Sequence, residues 1–292
     1  MPLPASHCTA ARLMLVIALT TLSGVCQARE TLTWLMRDIP PSTIFSGTMR
    51  GQGAIDQLMP LLTARMPEYD HVLMRVNRAR GLQMLNDATS LSCDPTMLWT
   101  EERARTLLFS IPIVAIMSSG LIVRKEDVET FAPFMEDGKI DFVALMDSHA
   151  IRLGVVAERS YGELIDHTLR TVDEDTLIPH YGNDAIGSLL QMERLGRLQA
   201  FISFWPEARY QAMQQGILPE ELSFIPIKGN PAYQFIYISC SRSPEGEQAI
   251  AKINNEMHVL RESSLMKLYA QWLDPAQRAG YLEEVKALLE KN

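Results

Sequence analysis

The chain carries none of the side-chain patterns that the common catalytic and cofactor sites require. The sequence contains no H-E-x-x-H pair, no cysteines at zinc spacing, no P-loop and no G-x-S-x-G nucleophile turn. Gly51 and Gly53 lack the third glycine of a dinucleotide fingerprint. The histidines beyond residue 28 are scattered, which favours structural or exposed roles: His71, His149, His167, His180 and His258. We therefore predict a protein that is not an enzyme and that uses no cofactor or metal.

Two arginines are the best candidates for chemistry, and that chemistry is anion binding. Arg103 lies in the segment 100–112, TEERARTLLFSIP, and a guanidinium fork can hold a carboxylate through two charge-assisted hydrogen bonds. A structural ion pair is the alternative role for Arg103, and Arg105 is the alternative residue. Arg159 and Ser160 stand where the start of a helix would present backbone N–H groups to an anion. An ordinary capped turn is the alternative there.

Strands and helices alternate around these segments in two similar units. The predicted strands cover residues 32–36, 71–76, 88–93, 152–156 and 198–202, and the predicted helices include 78–85, 161–169 and 184–195. Asp94-Pro95 is expected to end the third strand. Strand-like connectors over 120–124 and 233–240 join the units, and two amphipathic helices close the chain. Such alternation predicts an α/β protein with mainly parallel sheets.

The N-terminal segment has the composition of an export signal. An apolar stretch over 13–25 follows Arg12, and small residues three apart mark a cleavage site that ends at Ala28. The stretch is shorter than the roughly 20 residues of a membrane-spanning helix. We predict a cleaved signal peptide over 1–28 and a periplasmic mature chain that begins at Arg29. An uncleaved anchor is the alternative.

The composition argues against nucleic acid as a partner. The chain has 27 Lys and Arg against 35 Asp and Glu, a net charge of −8, and no basic cluster. The length after residue 28 suits two small domains, and no later segment is apolar over the roughly 20 residues of a membrane span. Cys93 and Cys240 are the two cysteines beyond the leader. In an exported chain they favour one disulfide, and two buried free thiols are the alternative.

The segment 100–112 resembles the family of periplasmic binding proteins that includes the polar amino-acid receptors of ABC importers. In that family the third strand of the first lobe is followed by a Thr, an Arg three residues later, then Phe-Ser and often Pro. The residues that match this order are Thr100, Arg103, Phe109, Ser110 and Pro112. The resemblance covers nearly the whole mature chain, with further matches over residues 34–41, 53–58, 154–156 and 196–200.

The resemblance implies a type II periplasmic-binding-protein fold. Each of two lobes would be a mainly parallel sheet flanked by helices, and two crossover strands would join them. Lobe 1 would comprise 29–119 and 232–292, and lobe 2 would comprise 120–231. In the family, the matching arginine holds the α-carboxylate of the ligand, which assigns that role to Arg103. The predicted ligand-binding set is Arg103, Thr96, Phe45, Ser119, Arg159, Ser160 and Trp205.

The sequence departs from the family pattern on both sides of the expected cleft. Leu98 replaces a serine two residues before the family threonine, and Thr96 is the nearest substitute hydroxyl. Residues 203–206 (SFWP) occupy the place of the aspartate that holds an α-ammonium, and Glu207 is the nearest carboxylate. The ligand is therefore expected to lack an amino group or to bind differently. Aromatic residues, Trp205 among them, would form a wall of the site or pack in the core.

The implied fold also bears on the cysteines and on function. The strands that carry Cys93 and Cys240 would be neighbours in one sheet, which would bring the two residues within bonding distance. The family role implies a monomer that captures a small anionic or amino-acid-like solute for an ABC permease or a membrane sensor. The alternatives are a dehydratase-like periplasmic enzyme on the same scaffold, and a sensor or adaptor that has lost transport.

Overall fold

The structure is a computed structural model that describes residues 29–173, 175–182 and 184–291. Thirteen strands are described: β1 Glu30–Met36, β2 Tyr69–Arg75, β3 Ser92–Leu98, β4 Leu107–Phe109, β5 Val114–Met117, β6 Gly120–Arg124, β7 Met135–Glu136, β8 Lys139–Ile140, β9 Leu153–Val156, β10 Leu177–His180, β11 Ala200–Ser203, β12 Leu222–Pro226 and β13 Tyr233–Ser241. The α-helices are α1 Ala54–Thr63, α2 Arg78–Leu85, α3 Glu101–Thr106, α4 Phe142–Asp147, α5 Glu163–Leu169, α6 Ala185–Arg194, α7 Trp205–Gln214, α8 Pro244–Leu260, α9 Met266–Ala270 and α10 Arg278–Leu289. Among the described residues, no helix has the length and apolar character that crossing a membrane requires.

The first sheet has the order β2-β1-β3-β13-β4, and β5 also pairs with β13. Strands β1, β2 and β3 are parallel, whereas β13 runs antiparallel to its neighbours. The central strand β1 is buried on both faces, since Trp34 and Leu35 are both fully buried. Helices α1 and α8–α10 cover one face with the main apolar core, and α2 covers the other. Because β1 is buried on both faces, its residues Trp34, Leu35 and Met36 are consecutively apolar and do not alternate with polar residues.

The second sheet has the order β10-β9-β11-β6-β12. Its first three strands are parallel, and β6 runs antiparallel to β11 and β12. Two apolar clusters lie on its opposite faces, one around Phe131 and Tyr161 and the other around Leu189 and Phe201. Because both faces are covered, this sheet is the centre of a second lobe with its own core.

Two adjacent crossings of the chain connect the lobes. The segment between β5 and β6 contains Ser118, whose N–H donates to the carbonyl of Ala232 in the segment between β12 and β13 at 3.0 Å. Asn230 donates from its side chain to the Ser119 carbonyl at 3.1 Å. The Tyr161 carbonyl of lobe 2 accepts from both the Ser119 hydroxyl and the Gln234 amide. These hydrogen bonds tie the two crossings to each other and to the start of α5.

The predicted fold class is confirmed, and several element bounds agree with prediction. Helix α2 and strand β6 have the predicted ends, whereas the end predicted for the third strand is wrong. Strand β3 continues through Asp94-Pro95 to Leu98, because the register against β13 shifts between Tyr237 and Ser239. Proline is accommodated at such a bulge, where no ladder hydrogen bond needs its missing N–H. The predicted signal peptide over 1–28 lies outside the described residues.

The predicted disulfide is confirmed. Cys93 and Cys240 are direct cross-strand partners in the antiparallel pair of β3 and β13, with their Cα atoms 4.1 Å apart and their sulfurs bonded. Both residues are fully buried. The disulfide therefore links the two chain segments that build the first sheet.

Candidate ligand-binding site

Three arginines lie directly beyond the carboxyl ends of the three parallel strands of lobe 1. Arg37 follows β1, Arg78 begins α2 after β2, and Arg103 lies in the first turn of α3 after β3. The carboxyl ends of parallel strands meet at one edge of a sheet, and ligands of open α/β sheets bind at this edge. The topology therefore gathers three guanidinium groups that lie far apart in the sequence.

A cavity at this edge is lined by residues of both lobes. Its polar lining consists of Arg37, Ser42, Arg78, Thr96, Arg103, Arg159, Ser160 and Glu207. Its apolar lining consists of Ile39, Ala54, Ile55, Met97, Leu98, Val114, Ile116, Phe204, Ile236, Leu265 and Tyr269. A second, adjacent pocket shares Arg37, Arg78, Arg159 and Glu207 and adds residues such as Asp38 and Gln211. The interlobe cleft thus combines an apolar lining with four arginines.

Arg37 forms a buried ion pair within lobe 1. Its Nε lies 2.8 Å from Oδ2 of Asp94, and both side chains are almost completely buried. The same guanidinium donates to the hydroxyl and the carbonyl oxygen of Thr96 at 2.6 and 3.1 Å. Asp94 in turn accepts from the backbone N–H and hydroxyl of Thr96. Arg37 is therefore neutralised and held in place before any ligand arrives.

Arg159 forms the matching ion pair in lobe 2. Its Nη2 lies 2.8 Å from Oε1 of Glu207, and both side chains are 8% exposed. The guanidinium also lies over the rings of Phe204 and Tyr161. Burial opposes the charge on Arg159, but the Glu207 carboxylate holds the pKa of this guanidinium above its ordinary value. Arg159 presents a fixed positive group from lobe 2 that faces those of lobe 1.

Arg103 has no carboxylate partner among the described residues. The hydroxyl of Thr100 caps α3 by accepting from the Arg103 backbone N–H at 3.2 Å, which fixes the position of the residue. Nη1 donates to the carbonyl of Leu98 at 3.0 Å. Burial lowers the pKa of Arg103, and the nearby charge of Arg37 adds to this effect. Four N–H donors of this guanidinium make no hydrogen bond within the described part of the chain.

The Arg78 side chain has fewer partners among the described residues than that of Arg103. The described residues give its side chain neither a hydrogen bond nor an ion pair, although Asn77 caps its helix. Burial lowers its pKa well below the ordinary value, and the positive charges of Arg37 and Arg159 lower it further. Since Arg37 and Arg159 each have a carboxylate partner, Arg78 and Arg103 are the two guanidinium groups of the cleft that form no ion pair with the described residues.

The structure brings four of the predicted ligand-binding residues together. Arg103, Thr96, Arg159 and Ser160 all line the cavity. Thr96 and Ser160 engage carboxylates of the protein, Asp94 and Asp166 respectively. These two hydroxyls therefore orient the neighbouring groups.

The other three predicted residues lie outside the lining of either pocket. Phe45 stacks under the guanidinium of Arg75, at 4.5 Å. Ser119 is fully buried in the crossover. The Trp205 indole lies near Phe224 and donates to Asp274 at 3.4 Å. Phe204, one residue earlier, faces the cavity in its place.

Sequence reasoning missed Arg37 and Arg78 as candidates for the site. Arg37 directly follows the predicted strand 32–36, and Arg78 is the second residue after the predicted strand 71–76. The rule that ligands bind at the carboxyl ends of parallel strands could therefore have identified both. A basic residue just after each of the first two predicted strands was the available signal.

Comparisons with known proteins were made by sequence and by structure. The sequence matches no protein-family model, and the search of curated proteins gives no match. An arginine transport-system periplasmic binding protein from Legionella pneumophila aligns with a TM-score of 0.60 and 17% identity, over 84% of this chain and 100% of that one. A histidine kinase sensor domain with similarity to periplasmic binding proteins gives 0.63 and 15%, over 84% and 96%. The substrate-binding protein AbpA of an amino-acid ABC transporter from Streptococcus pneumoniae, bound to L-arginine, gives 0.61 and 16%, over 84% and 94%.

The two sheets, the double crossover and these alignments define the class of the fold. The chain has the two-lobed α/β fold of type II periplasmic binding proteins. At this level of identity the likeness establishes the fold, and the particular ligand must be argued from the cleft itself.

Proposed function

We propose that this chain is a solute-binding protein of the polar amino-acid receptor family that captures a small anionic organic solute between its lobes. The observation that carries the proposal is the interlobe cavity, in which Arg78 and Arg103 have no carboxylate partner among the residues that the structure describes. A guanidinium in a cleft that excludes water binds a carboxylate strongly. Closure of the lobes on the ligand would give this protein an open and a closed state, and a membrane partner could distinguish the two.

The proposed setting is the periplasm, and the proposed partner is an ABC permease. Two of the aligned structures are named as binding proteins of transport systems, and one of these is named as bound to L-arginine. We propose that residues 120–231 form lobe 2, that the remainder of the mature chain forms lobe 1, and that the protein acts as a monomer. It would bind its ligand without converting it.

Thermal unfolding in the presence of candidate solutes tests the binding role. The protein is screened against a panel of organic acids and amino acids, and hits are measured by calorimetry. A true ligand at a hundred times its dissociation constant stabilises the fold by about 2.7 kcal/mol. Ligand recovered chemically unchanged after prolonged incubation supports binding without turnover. Lack of any stabilising anion, or conversion of the ligand, would count against the proposal.

Export is tested separately. Mass spectrometry of the protein from the periplasmic fraction is expected to show an N-terminus at Arg29, since small residues at Val25 and Ala28 suit signal peptidase. An intact Met1 or a lipid on Cys26 would contradict the prediction of a cleaved leader.

A sensor is the second candidate function, because a histidine kinase sensor domain aligns over 96% of its own length. Uptake of the identified ligand by a strain that lacks the gene separates the two roles. Loss of high-affinity uptake supports transport. Unchanged uptake with an altered transcriptional response to the ligand supports sensing.

A further inference from the structure

The lining of the cavity has two chemically distinct parts, and each part restricts what can bind there. The arginine part contains four guanidinium groups, those of Arg37, Arg78, Arg103 and Arg159. The apolar part is formed by apolar side chains from β5, β13 and the C-terminal helices. A ligand that fills the cavity must satisfy both parts at once.

Two of the four guanidinium groups that line the cavity form ion pairs. Asp94 neutralises Arg37, and Glu207 neutralises Arg159, each at 2.8 Å. Arg103 donates only to the Leu98 carbonyl among the described residues, and Arg78 has no hydrogen bond there. Two guanidinium groups therefore remain to receive an anion, and a carboxylate fits the planar fork of either one.

The described lining of the cavity contains no carboxylate that is free of an ion pair. Glu207 is the one carboxylate among the described lining residues, and its oxygens face Arg159 Nη2 at 2.8 Å and the Ser203 hydroxyl at 3.4 Å. Asp38 lies in the adjacent pocket, where it accepts from the Phe45 backbone N–H. An ammonium group bound beside the carboxylate would lose its water and would lie near Arg78 and Arg103, which form no ion pair with the described residues.

The apolar part of the lining disfavours polar ligand groups. Val114 is 3% exposed, Ile116 is 9% and Leu265 is fully buried. Leu265 is the last residue of a π-helical turn, Arg261–Leu265, which interrupts the helix between α8 and α9; such turns are frequent at functional sites. The Tyr269 hydroxyl is the one polar side-chain group among the described residues of this part, and it is buried without a hydrogen-bond partner there. A polar ligand group placed here would therefore give up its hydration for at most this one side-chain hydrogen bond. An alkyl or aryl group would bury its surface favourably.

We infer that the ligand is a carboxylate attached to an alkyl or aryl body and without an ammonium group. The inference rests on the proposed solute-binding function and narrows it. The carboxylate would lie against Arg103 and Arg78, and the apolar body would extend toward Val114, Ile236 and Leu265. Deaminated analogues of apolar amino acids have this chemistry.

Calorimetric titration with matched pairs of compounds tests the inference on protein from expression of the full chain. The pairs are 4-methylpentanoate with L-leucine and 3-phenylpropanoate with L-phenylalanine, and glutarate and L-arginine are the polar comparisons. Each deaminated acid is expected to bind at least about tenfold more tightly than its amino acid, because the amino acid must bury an unpaired ammonium group. Glutarate and L-arginine are expected to bind more weakly than the apolar acids.

The outcomes separate the inference from the proposed function. Equal or tighter binding of leucine or phenylalanine overturns the inference, and so does binding of the polar compounds alone; in both cases the solute-binding function stands. No binding by any compound in the wider panel overturns both.

A pair of variants at Phe204 tests the electrostatic part of the inference. Phe204 lines the cavity beside Arg159 and is the N-cap residue of α7, a position that suits both Asp and Asn. Phe204→Asp would supply a carboxylate to the cleft, and Phe204→Asn would supply the same shape without charge. The affinity ratio of leucine to 4-methylpentanoate is expected to rise about tenfold more in the Asp variant than in the Asn variant. An equal change in both folded variants, checked by thermal unfolding, would show that charge does not set the selectivity.

Discussion

At the scale of single residues, carboxylate partners decide which arginines of the cleft can receive a ligand. Arg37 and Arg159 each have a buried carboxylate partner at 2.8 Å, whereas the Arg103 side chain donates, within the described part of the chain, only to the Leu98 carbonyl. Removing one partner of a buried ion pair leaves the other charge buried and unpaired, which strongly destabilises the fold. Removing the Arg103 side chain leaves no carboxylate of the described residues unpaired. A substitution at Arg103 can therefore weaken ligand binding without also destabilising the fold.

Arg103→Ala is expected to weaken the binding of an anionic ligand by about 2–5 kcal/mol, because a charge-assisted contact in a closed cleft is lost. The thermal unfolding midpoint without ligand should change little. Calorimetry with the ligand found in the screen measures the effect. Arg105→Ala is the matched control, since Arg105 is 72% exposed and pairs with Glu101 on the same helix. Unchanged affinity in the Arg103 variant would remove the case for a carboxylate anchor.

A second residue-scale feature is a buried carboxyl in lobe 2. Glu193 is 1% exposed, accepts from the Arg124 backbone N–H at 2.8 Å, and has an Oε2 atom without a hydrogen-bond partner. Burial raises the pKa of Glu193 from 4.5 to about 7. The folded protein therefore holds this proton more tightly than the unfolded chain does.

The sign of the resulting pH dependence follows from that difference. Between pH 4.5 and about 7 the folded state binds more protons, so the Glu193 contribution to the free energy of unfolding falls as pH rises through this window. The full loss is about 3 kcal/mol. Glu193→Gln is expected to flatten this part of the stability profile measured by urea unfolding. Glu126→Gln is the control, because Glu126 pairs with the same Arg124 but is 74% exposed. A profile that keeps its slope in the Glu193 variant would contradict the assignment.

At the scale of elements, the pairing of β3 with β13 determines the shape of lobe 1 at the cleft. The bulge at Asp94-Pro95 lets β3 continue to Leu98, which places Thr96, Met97 and Leu98 in the lining of the cavity. Below the bulge, Cys93 and Cys240 lie directly opposite each other. The disulfide thus anchors the strand that carries part of the site to the strand by which the chain returns from lobe 2.

Removal of this disulfide is expected to destabilise the protein by up to about 5 kcal/mol, because the bond closes a loop between residues 147 apart. The variant combines Cys93→Ala with Cys240→Ala, and urea unfolding gives the free energy. Reduction of the unaltered protein should produce a similar loss and is the internal control. Peptide mapping without reductant should recover one linked peptide that contains both cysteines. Two separate thiol peptides would refute the bond.

At the scale of the whole molecule, the lobes also contact each other through α7 and the segment after α9. Arg209 of α7 lies 2.6 Å from a carboxylate oxygen of Asp274, to which the Trp205 indole also donates. Tyr210 stacks edge-on against Trp272 at 6.0 Å. Phe204 belongs to the apolar core of lobe 1, although its neighbours in sequence belong to lobe 2. These contacts favour the arrangement in which the lobes enclose the cavity.

Asp274→Asn is expected to loosen this arrangement. The partners are partly exposed, so the change should be about 1 kcal/mol at most, which corresponds to about fivefold weaker ligand binding. Calorimetry measures the affinity, and small-angle scattering should show a larger radius of gyration without ligand. Glu290→Gln is the control, since Glu290 pairs only with Lys286 among the described residues, far along α10. Identical scattering and affinity in the Asp274 variant would exclude a role in closure.

The sequence by itself determined the order of the main strands and helices, whereas the short strands β4, β5, β7, β8, β10 and β12 were not predicted. Apolar periodicity and turn residues specify a helix or strand through neighbours a few positions away, which is why the bounds of α2 and β6 were predicted. The resemblance around Thr100 and Arg103 extended this local information to a fold, and the fold placed Cys93 beside Cys240.

Only the tertiary structure decided how the cleft is composed. The pairing of Arg37 with Asp94 joins residues 57 apart, and no local pattern records which strand ends will meet. The choice between Phe204 and Trp205 depends on where α7 begins relative to the cavity, because one position on a helix start changes the direction of a side chain. The availability of Arg78 and Arg103 likewise depends on partners drawn from both lobes. It arises only when folding pairs Arg37 with Asp94 and Arg159 with Glu207 and leaves the other two guanidinium groups without an ion pair among the described residues.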